Sequence, residues 1–187
     1  MLSTGDTAPS FTATYRGSEH ETFKLDEHLG DGPTVLAFFP GAFTPPCSNE
    51  MVALQERLDE LQDAGATFFP GAFTPPCSNE MVALQERLDE LQDAGATLFG
   101  ISADSSFSLG AFADEYDLEF DLISDMGGEA IPEYDLSIDI PDLGLYGVAN
   151  RAVIVLDEDR TVTYRWVAED PTNEPDYDEL IEAVEAV

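Results

Sequence analysis

Both cysteines of the chain stand three positions after a threonine and directly after two prolines. Thr44, Pro45 and Cys47 suit the N-cap, N1 and N3 positions of a helix, because a threonine side chain caps free backbone N–H groups and proline has no N–H to leave unpaired. The first helical turn carries free N–H groups and the positive end of the helix dipole, which stabilise a thiolate. This pattern predicts a reactive cysteine with a lowered pKa; a small buried cysteine at a helix start is the alternative.

The whole arrangement occurs twice, because residues 68–97 repeat residues 38–67 without a single change. The second copy holds Thr74 and Cys77 at the same spacing. A solenoid is not indicated, since solenoids need roughly three or more units with drifting sequence; two perfect copies indicate a recent or engineered duplication. Without one copy, 187 − 30 = 157 residues remain, which is the size of one domain. We therefore predict one domain over residues 1–187 with residues 68–97 as an insertion.

The net charge of the chain limits the cellular environments and the partners that suit it. There are 39 Asp and Glu against 7 Lys and Arg, a net charge of −32, and Lys24 is the only lysine. Self-repulsion at this charge is costly in dilute buffer but is screened at molar salt, where the Debye length is about 3 Å. The composition therefore predicts a halophilic protein of a salt-rich cytoplasm. Nucleic acid and anionic membranes are not expected as partners, because counterion release needs basic side chains.

The same charge leads to a prediction about stability. We expect cooperative unfolding in molar KCl and a loosened fold in dilute buffer, because salt screens the repulsion among the acidic side chains. Thermal melts followed by circular dichroism across that range of KCl check this expectation. A melting temperature that is indifferent to KCl would count against a halophilic origin.

Targeting segments and membrane spans are not indicated. The start, MLSTGDTAPS, lacks the basic residues and the apolar core of a signal peptide, and no apolar run approaches the roughly 20 residues of a membrane span. Two cysteines that are copies of each other do not make a secreted disulfide framework. We therefore expect a cytoplasmic protein in a reducing compartment, with no membrane partner.

Apolar periodicity predicts an alternation of strands and helices. The run TVLAFF is typical of a central buried strand, and the helix after it carries one apolar stripe of Met51, Leu54, Leu58 and Leu61. The other predicted elements are a hairpin over 11–15 and 22–25, strands over 97–103, 120–124, 151–156 and 161–167, and helices over 105–116, 129–134 and 177–187. Strand–helix–strand units followed by a hairpin and a helix predict an α/β sandwich around one mixed sheet.

The cysteine segment resembles a known motif. Pro40-x-x-x-Thr44-x-x-Cys47, within FFPGAFTPPC, is similar to the peroxidatic loop of peroxiredoxins, and GVANRAVIVLD is similar to the segment with that family's active-site arginine, which maps onto Arg151. Glu50 matches a glutamate common three residues after the cysteine, and GDTAPSFTA and ISADS also resemble the family. With one cysteine per copy, the resemblance is to one-cysteine peroxiredoxins of the alkyl hydroperoxide reductase E or bacterioferritin-comigratory type.

This resemblance implies a fold and an activity. The fold is a thioredoxin-like α/β sandwich, a central mixed sheet flanked by helices, here with an extra inserted helix. The activity is that of a thiol peroxidase without a cofactor, in which the proline shields the cysteine and the threonine hydroxyl contacts thiolate and peroxide. The cysteine attacks the O–O bond of hydrogen peroxide or an organic hydroperoxide and becomes a sulfenic acid. An external thiol or thioredoxin-like reductant must then reduce the sulfenic acid. A homodimer is one possible assembly of the chain.

The chemistry of a guanidinium, independently of the family, also supports a catalytic role for Arg151. A guanidinium near the sulfur lowers the pKa of the thiol, and its donors can hold a peroxide oxygen as negative charge develops there. A surface ion pair is the alternative for Arg151. Glu50 is predicted to orient Arg151, and a solvated helix residue is the alternative for Glu50.

Two identical copies cannot occupy one place in the fold. An insertion at 68–97 leaves the strand TVLAFF, the Cys47 loop and the first helix contiguous, and surface loops accept long insertions at little cost. The predicted catalytic set is therefore Cys47, Thr44, Pro40, Arg151 and Glu50, and the alternative set from the second copy is Cys77, Thr74, Pro70 and Glu80. The spare copy is expected to form a surface helix over about 78–94. A break near residue 47, which would use the second helix instead, is a third arrangement.

A second class of function also stays open. If the duplication destroyed the pocket, the chain would be a non-enzymatic thioredoxin-like protein that acts as a redox sensor or a holdase, or only a folding test piece. His20 and His28 lie among acidic residues and away from other ligand types. Both are therefore interpreted as surface residues, and no metal site is predicted.

Overall fold

The computed structural model describes residues 2–17, 21–29, 32–42, 75–171 and 173–187, with side chains from Glu80 onward in the helix that begins at Pro75. Its strands are β1 (Thr12–Tyr15), β2 (Thr22–Lys24), β3 (Thr34–Phe38), β4 (Thr97–Ser102), β5 (Asp121–Ser124), β6 (Ser137–Ile140), β7 (Leu145–Ala149), β8 (Ala152–Leu156) and β9 (Val162–Val167). Its helices are α1 (Pro75–Glu86), α2 (Leu88–Asp93), α3 (Ser106–Glu115), α4 (Ala130–Glu133) and α5 (Tyr177–Glu185), with 3-10 turns at Leu25–Glu27 and Pro141–Leu143.

Seven of these strands form one mixed sheet in the order β2-β1-β5-β4-β3-β8-β9. β3 lies inside the sheet, parallel to β4 and antiparallel to β8, with Phe38 between Ile101 and Ala152. All five residues of β3 are buried, as expected for a strand that is covered on both faces. The predicted α/β sandwich around one mixed sheet is confirmed.

Alternate residues of β3 and the position after it face two apolar cores, because side chains alternate along a strand. On one face, helices cover Val35, Ala37 and Phe39 with the side chains of Met81, Leu84, Leu88, Leu91, Leu109, Phe112, Leu180 and Val184. On the other face, the β1–β2 hairpin and α4 cover Leu36 and Phe38 with Phe11, Phe23, Leu25, Ala130 and Ile131.

The helices α1 and α2 belong to the second copy, and their apolar stripe fills the core. Met81, Leu84 and Leu91 are 0 % exposed. The prediction that residues 78–94 form a spare helix on the surface is therefore wrong. The stripe is the surface that covers one face of the sheet, and a helix that carries it gains more by burying it there than by leaving it in water.

The described structure combines the two copies. β3 leads into the first copy, which is described as far as Ala42, and the description resumes at Pro75 in the second copy. α1 is described from Pro75 onward, the residue for which the spacing predicts the N1 position. Arg87 separates α1 from α2 and donates from Nη2 to Asp178 Oδ1 at 2.5 Å, which ties the helix pair to α5. The apolar stripe of the first copy lies outside the described residues.

Identical copies provide a matched test of this packing. We expect Leu84→Ala to lower the free energy of unfolding by about 2–5 kcal/mol, because it opens a cavity in the core. Leu54→Ala, the same change at the same position of the first copy, is expected to cost far less. Denaturant unfolding in molar KCl measures both. Equal losses would show that α1 is not the only helix that fills this place.

One feature of the described structure was not expected from the sequence. β6 and β7 form a separate two-stranded sheet, whose turn uses Gly144 at φ +67°, in the left-handed region. Its strands are short and largely exposed, and Pro141 interrupts their apolar pattern.

Within the described ranges, no helix combines the length and apolar character needed to cross a membrane.

The interpretation of His28 as a surface residue is wrong. Its ring stacks on Phe23 with the centroids 4.8 Å apart, and its Nε2 lies 2.7 Å from the hydroxyl oxygen of Tyr15. The side chain is half-buried beneath the first hairpin because it offers an aromatic face and one polar contact. His20 lies outside the described residues.

Candidate active site

Arg151 is the buried positive charge of the site. It comes directly before β8, and the pairing of Phe38 with Ala152 puts it opposite Phe39, at the carboxyl end of β3. The residue is 0 % exposed. Its Nη1 donates to Glu80 Oε2, and its Nε donates to the carbonyl oxygen of Pro171 at 2.9 Å. Two hydrogen bonds on different sides fix the orientation of the guanidinium. The sequence predicted a glutamate as one partner of Arg151, but it did not predict the bond to Pro171.

Glu80 supplies the carboxylate of this pair from α1. It is 0 % exposed, and among the described residues its Oε1 has no hydrogen-bond partner. Burial raises the pKa of Glu80 to about 7, and the guanidinium of Arg151 acts in the opposite direction. The pair therefore joins α1 to the residue that directly precedes β8.

Cys77 lies in the first turn of α1, three residues before Glu80. Positions three apart are neighbours on a helix surface. The start of the helix provides free backbone N–H groups and the positive end of the dipole. The backbone of α1 thus places Cys77 one turn before the glutamate that binds Arg151.

The loop after β3 is the third component. Phe39 N donates to Ile101 O at 3.0 Å, and Ala42 N donates to Asp104 Oδ2 at 2.6 Å. Pro40, between these two contacts, is buried. Asp104 lies in the ISADS segment, which resembled the family but received no role from the sequence, because its contact with Ala42 joins residues 62 positions apart.

The predicted site residues have different outcomes. Pro40, Arg151 and Glu80 are described, and the structure joins Glu80 to Arg151. Cys77 is described for its backbone. The remaining predicted residues lie outside the described part of the chain: Cys47, Thr44, Glu50, Thr74 and Pro70.

The segment after β9 closes over Arg151, and the sequence did not predict this. Ala168 N donates to Arg151 O at 2.9 Å. Tyr177 Oη donates to Glu174 Oε2 at 3.2 Å, and burial, together with the charges of Glu80 and Glu174, raises the pKa of Tyr177. An open cleft of about 520 Å³ lies next to this segment, lined by Trp166, Val167, Glu169, Asn173 and Glu174.

In the part of the chain described here, no three His, Cys, Asp or Glu side chains cluster as a metal site would require.

These features define a class of α/β protein in which one helix carries a cysteine in its first turn and a glutamate that holds a buried arginine. The model of the AhpC/TSA family matches residues 4–69 and 66–165 in two overlapping parts, each of which contains one copy of the repeat. The chain belongs to this family, the peroxiredoxins.

Individual relatives agree with this assignment. The thiol peroxidase of Vibrio cholerae is 31 % identical over 177 residues, which are 95 % of this chain and 87 % of that protein. The chloroplastic peroxiredoxin Q of Triticum aestivum is 35 % identical over 164 residues, which are 87 % of this chain. The matched part covers only 58 % of the wheat protein.

A solved structure shows the fold. The crystal structure of the peroxidoxin BcpB from Mycobacterium tuberculosis matches with a TM-score of 0.72 and 23 % identity, and covers 100 % of this chain and 99 % of that one. At this level of identity the likeness concerns the fold alone, and it confirms the predicted thioredoxin-like sandwich.

Proposed function

We propose that the chain is a thiol peroxidase that reduces hydrogen peroxide or organic hydroperoxides, and that Cys77 is its catalytic cysteine. The observation that carries the choice of cysteine is the buried pair of Glu80 and Arg151. Glu80 belongs to the second copy, and Cys77 lies one turn before it on the same helix. The sequence favoured Cys47, on the reasoning that the first copy stays contiguous with its strand.

The proposed site takes its parts from both copies. Pro40 comes from the first copy, and Thr74, Cys77 and Glu80 come from the second. The 30 inserted residues then lie within 43–74, between loop and helix, close to the third arrangement that the sequence allows. Thr74 directly precedes Pro75 at N1 and so has the position of an N-cap.

The chemistry follows from the residues. The Cys77 thiolate attacks the terminal oxygen of ROOH, so that an S–O bond forms as the O–O bond breaks. The product is a sulfenic acid, and the alkoxide leaves as ROH after taking up a proton. Arg151 stabilises the negative charge that develops on the oxygens. An external thiol or thioredoxin-like reductant then forms a mixed disulfide with loss of water, and a second thiol releases Cys77. Such a cycle suits a reducing, salt-rich cytoplasm, and a homodimer is an assembly compatible with it.

Stoichiometric oxidation tests this function. The reduced chain in molar KCl receives one equivalent of hydrogen peroxide in the presence of a sulfenic-acid trap, and peptide mass spectrometry then examines each cysteine. We expect the trap on Cys77 and a free thiol at Cys47, because Glu80, three residues after Cys77, binds Arg151 in the described part of the chain. Trapping on Cys47 would move the site to the first copy. Two unmodified cysteines would favour the non-enzymatic redox-sensing or holdase protein.

A further inference from the structure

The loop that carries Pro40 is held at its far end by one carboxylate. Ala42 N donates to Asp104 Oδ2 at 2.6 Å. Pro40, Gly41 and Ala42 are buried, and Ala42 lies in the same core as Met81 of α1. The contact therefore ties the loop of the first copy to the end of β4, next to the core that Met81 of the second copy shares.

Asp104 is itself anchored on the sheet. Ser102 Oγ donates to the same Oδ2 at 2.8 Å, and Ser124 Oγ donates to the carbonyl oxygen of Asp104 at 2.6 Å. Both serines end neighbouring parallel strands and are buried. Burial raises the pKa of Asp104, whereas the bonds from Ser102 and Ala42 lower it. The carboxylate is thus part of a rigid edge, and it is oriented independently of the loop that it holds.

The duplication makes this contact more important for the position of the loop relative to α1. Within one copy, two residues separate the alanine of PGAF from the first proline of the helix, as in Ala42 to Pro45. In the described structure α1 begins at Pro75, so the 32 residues of 43–74 separate it from Ala42. A two-residue link fixes the position of a loop relative to a helix, whereas a long one constrains it weakly.

We propose that Asp104 is a positioning residue, which holds Pro40 at the amino end of α1 in place of the short covalent link. The proposal rests on the proposed thiol peroxidase function, since the value of placing Pro40 there is to shield and enclose the reacting sulfur. Without Asp104 the loop has one tether fewer, and the enclosed geometry that favours attack on peroxide is populated less often.

The test compares variants of the half-buried Asp104 with a change at a second carboxylate of the same sheet edge. Asp104→Ala is expected to lose hydrogen-exchange protection at the Ala42 amide and to lower the second-order rate constant with hydrogen peroxide about tenfold. Asp104→Asn keeps an acceptor oxygen and should recover most of both. Asp125→Asn is the control, because Asp125 is a buried carboxylate directly after β5 that accepts from the backbone N–H groups of residues 129–131, away from the loop. It should keep both the Ala42 protection and the rate constant.

Each result decides the matter. Unchanged exchange at Ala42 in Asp104→Ala overturns the proposal, as does lost protection with a wild-type rate constant. An equal fall in rate in Asp125→Asn would also overturn it, since the effect would then be a general loss of fold. A wild-type chain that does not react with peroxide removes the proposed function, and exchange at Ala42 alone then decides whether Asp104 holds the loop.

Discussion

Cys77→Ser is expected to lose peroxide turnover by roughly a thousandfold or more, whereas Cys47→Ser keeps it within about twofold of the wild type. Serine cannot supply a thiolate, and a hydroxyl is not ionised at neutral pH. The asymmetry is expected because Glu80, on the helix of Cys77, binds the buried Arg151. Consumption of hydrogen peroxide in molar KCl with an excess of dithiol measures the rates.

The two serine variants control each other. Cys47 and Cys77 have identical neighbours over a whole 30-residue unit, so any difference between the variants comes from the place of each copy in the fold. Full loss in Cys47→Ser with retention in Cys77→Ser would contradict the assignment. A partial loss in each would show that the copies exchange in one site, as competing conformations of one chain can.

Arg151→Met is expected to lower kcat/KM for peroxide by about 10²–10³-fold, because in the proposed mechanism its donors stabilise the developing negative charge. Methionine has a similar length without the charge. The change also leaves Glu80 buried and unpaired, which costs about 3–5 kcal/mol of stability. The rate is therefore measured in molar KCl at a temperature where circular dichroism shows the variant to be folded.

A double variant separates chemistry from folding. Glu80→Gln combined with Arg151→Met removes both buried charges, and replacing a whole buried pair by neutral groups is often nearly neutral for stability. We expect the double variant to regain much of the stability while kcat/KM stays low. If kcat/KM returned together with stability, Arg151 would be a structural residue and the proposed role would fail.

Local patterns in the sequence were sufficient for the elements that are buried on both faces. The predicted strands over 34–39, 97–103 and 151–156 correspond to β3, β4 and β8 within one residue at each end. A continuous run of apolar residues has no stable place except inside a sheet that is covered on both sides.

Contacts between distant residues were not accessible to this reasoning. The bond of Ala42 to Asp104 and that of Arg151 to Pro171 depend on which strands are neighbours and in what register. Short strands such as β6 and β7 carry too weak a pattern to be predicted, since their stability comes from pairing with each other.

The choice between the copies is what only the tertiary structure decided. Their sequences are identical, so local propensities and apolar stripes cannot favour either one. The sheet needs TVLAFF upstream of the loop and a helix that runs directly into β4 downstream. β3 with Ala42 satisfies the first requirement, and α1–α2 of the second copy, three residues before Thr97, satisfies the second. An arrangement that keeps both junctions intact leaves the additional residues between them, and this places the helix of Cys77 and Glu80 beside Arg151.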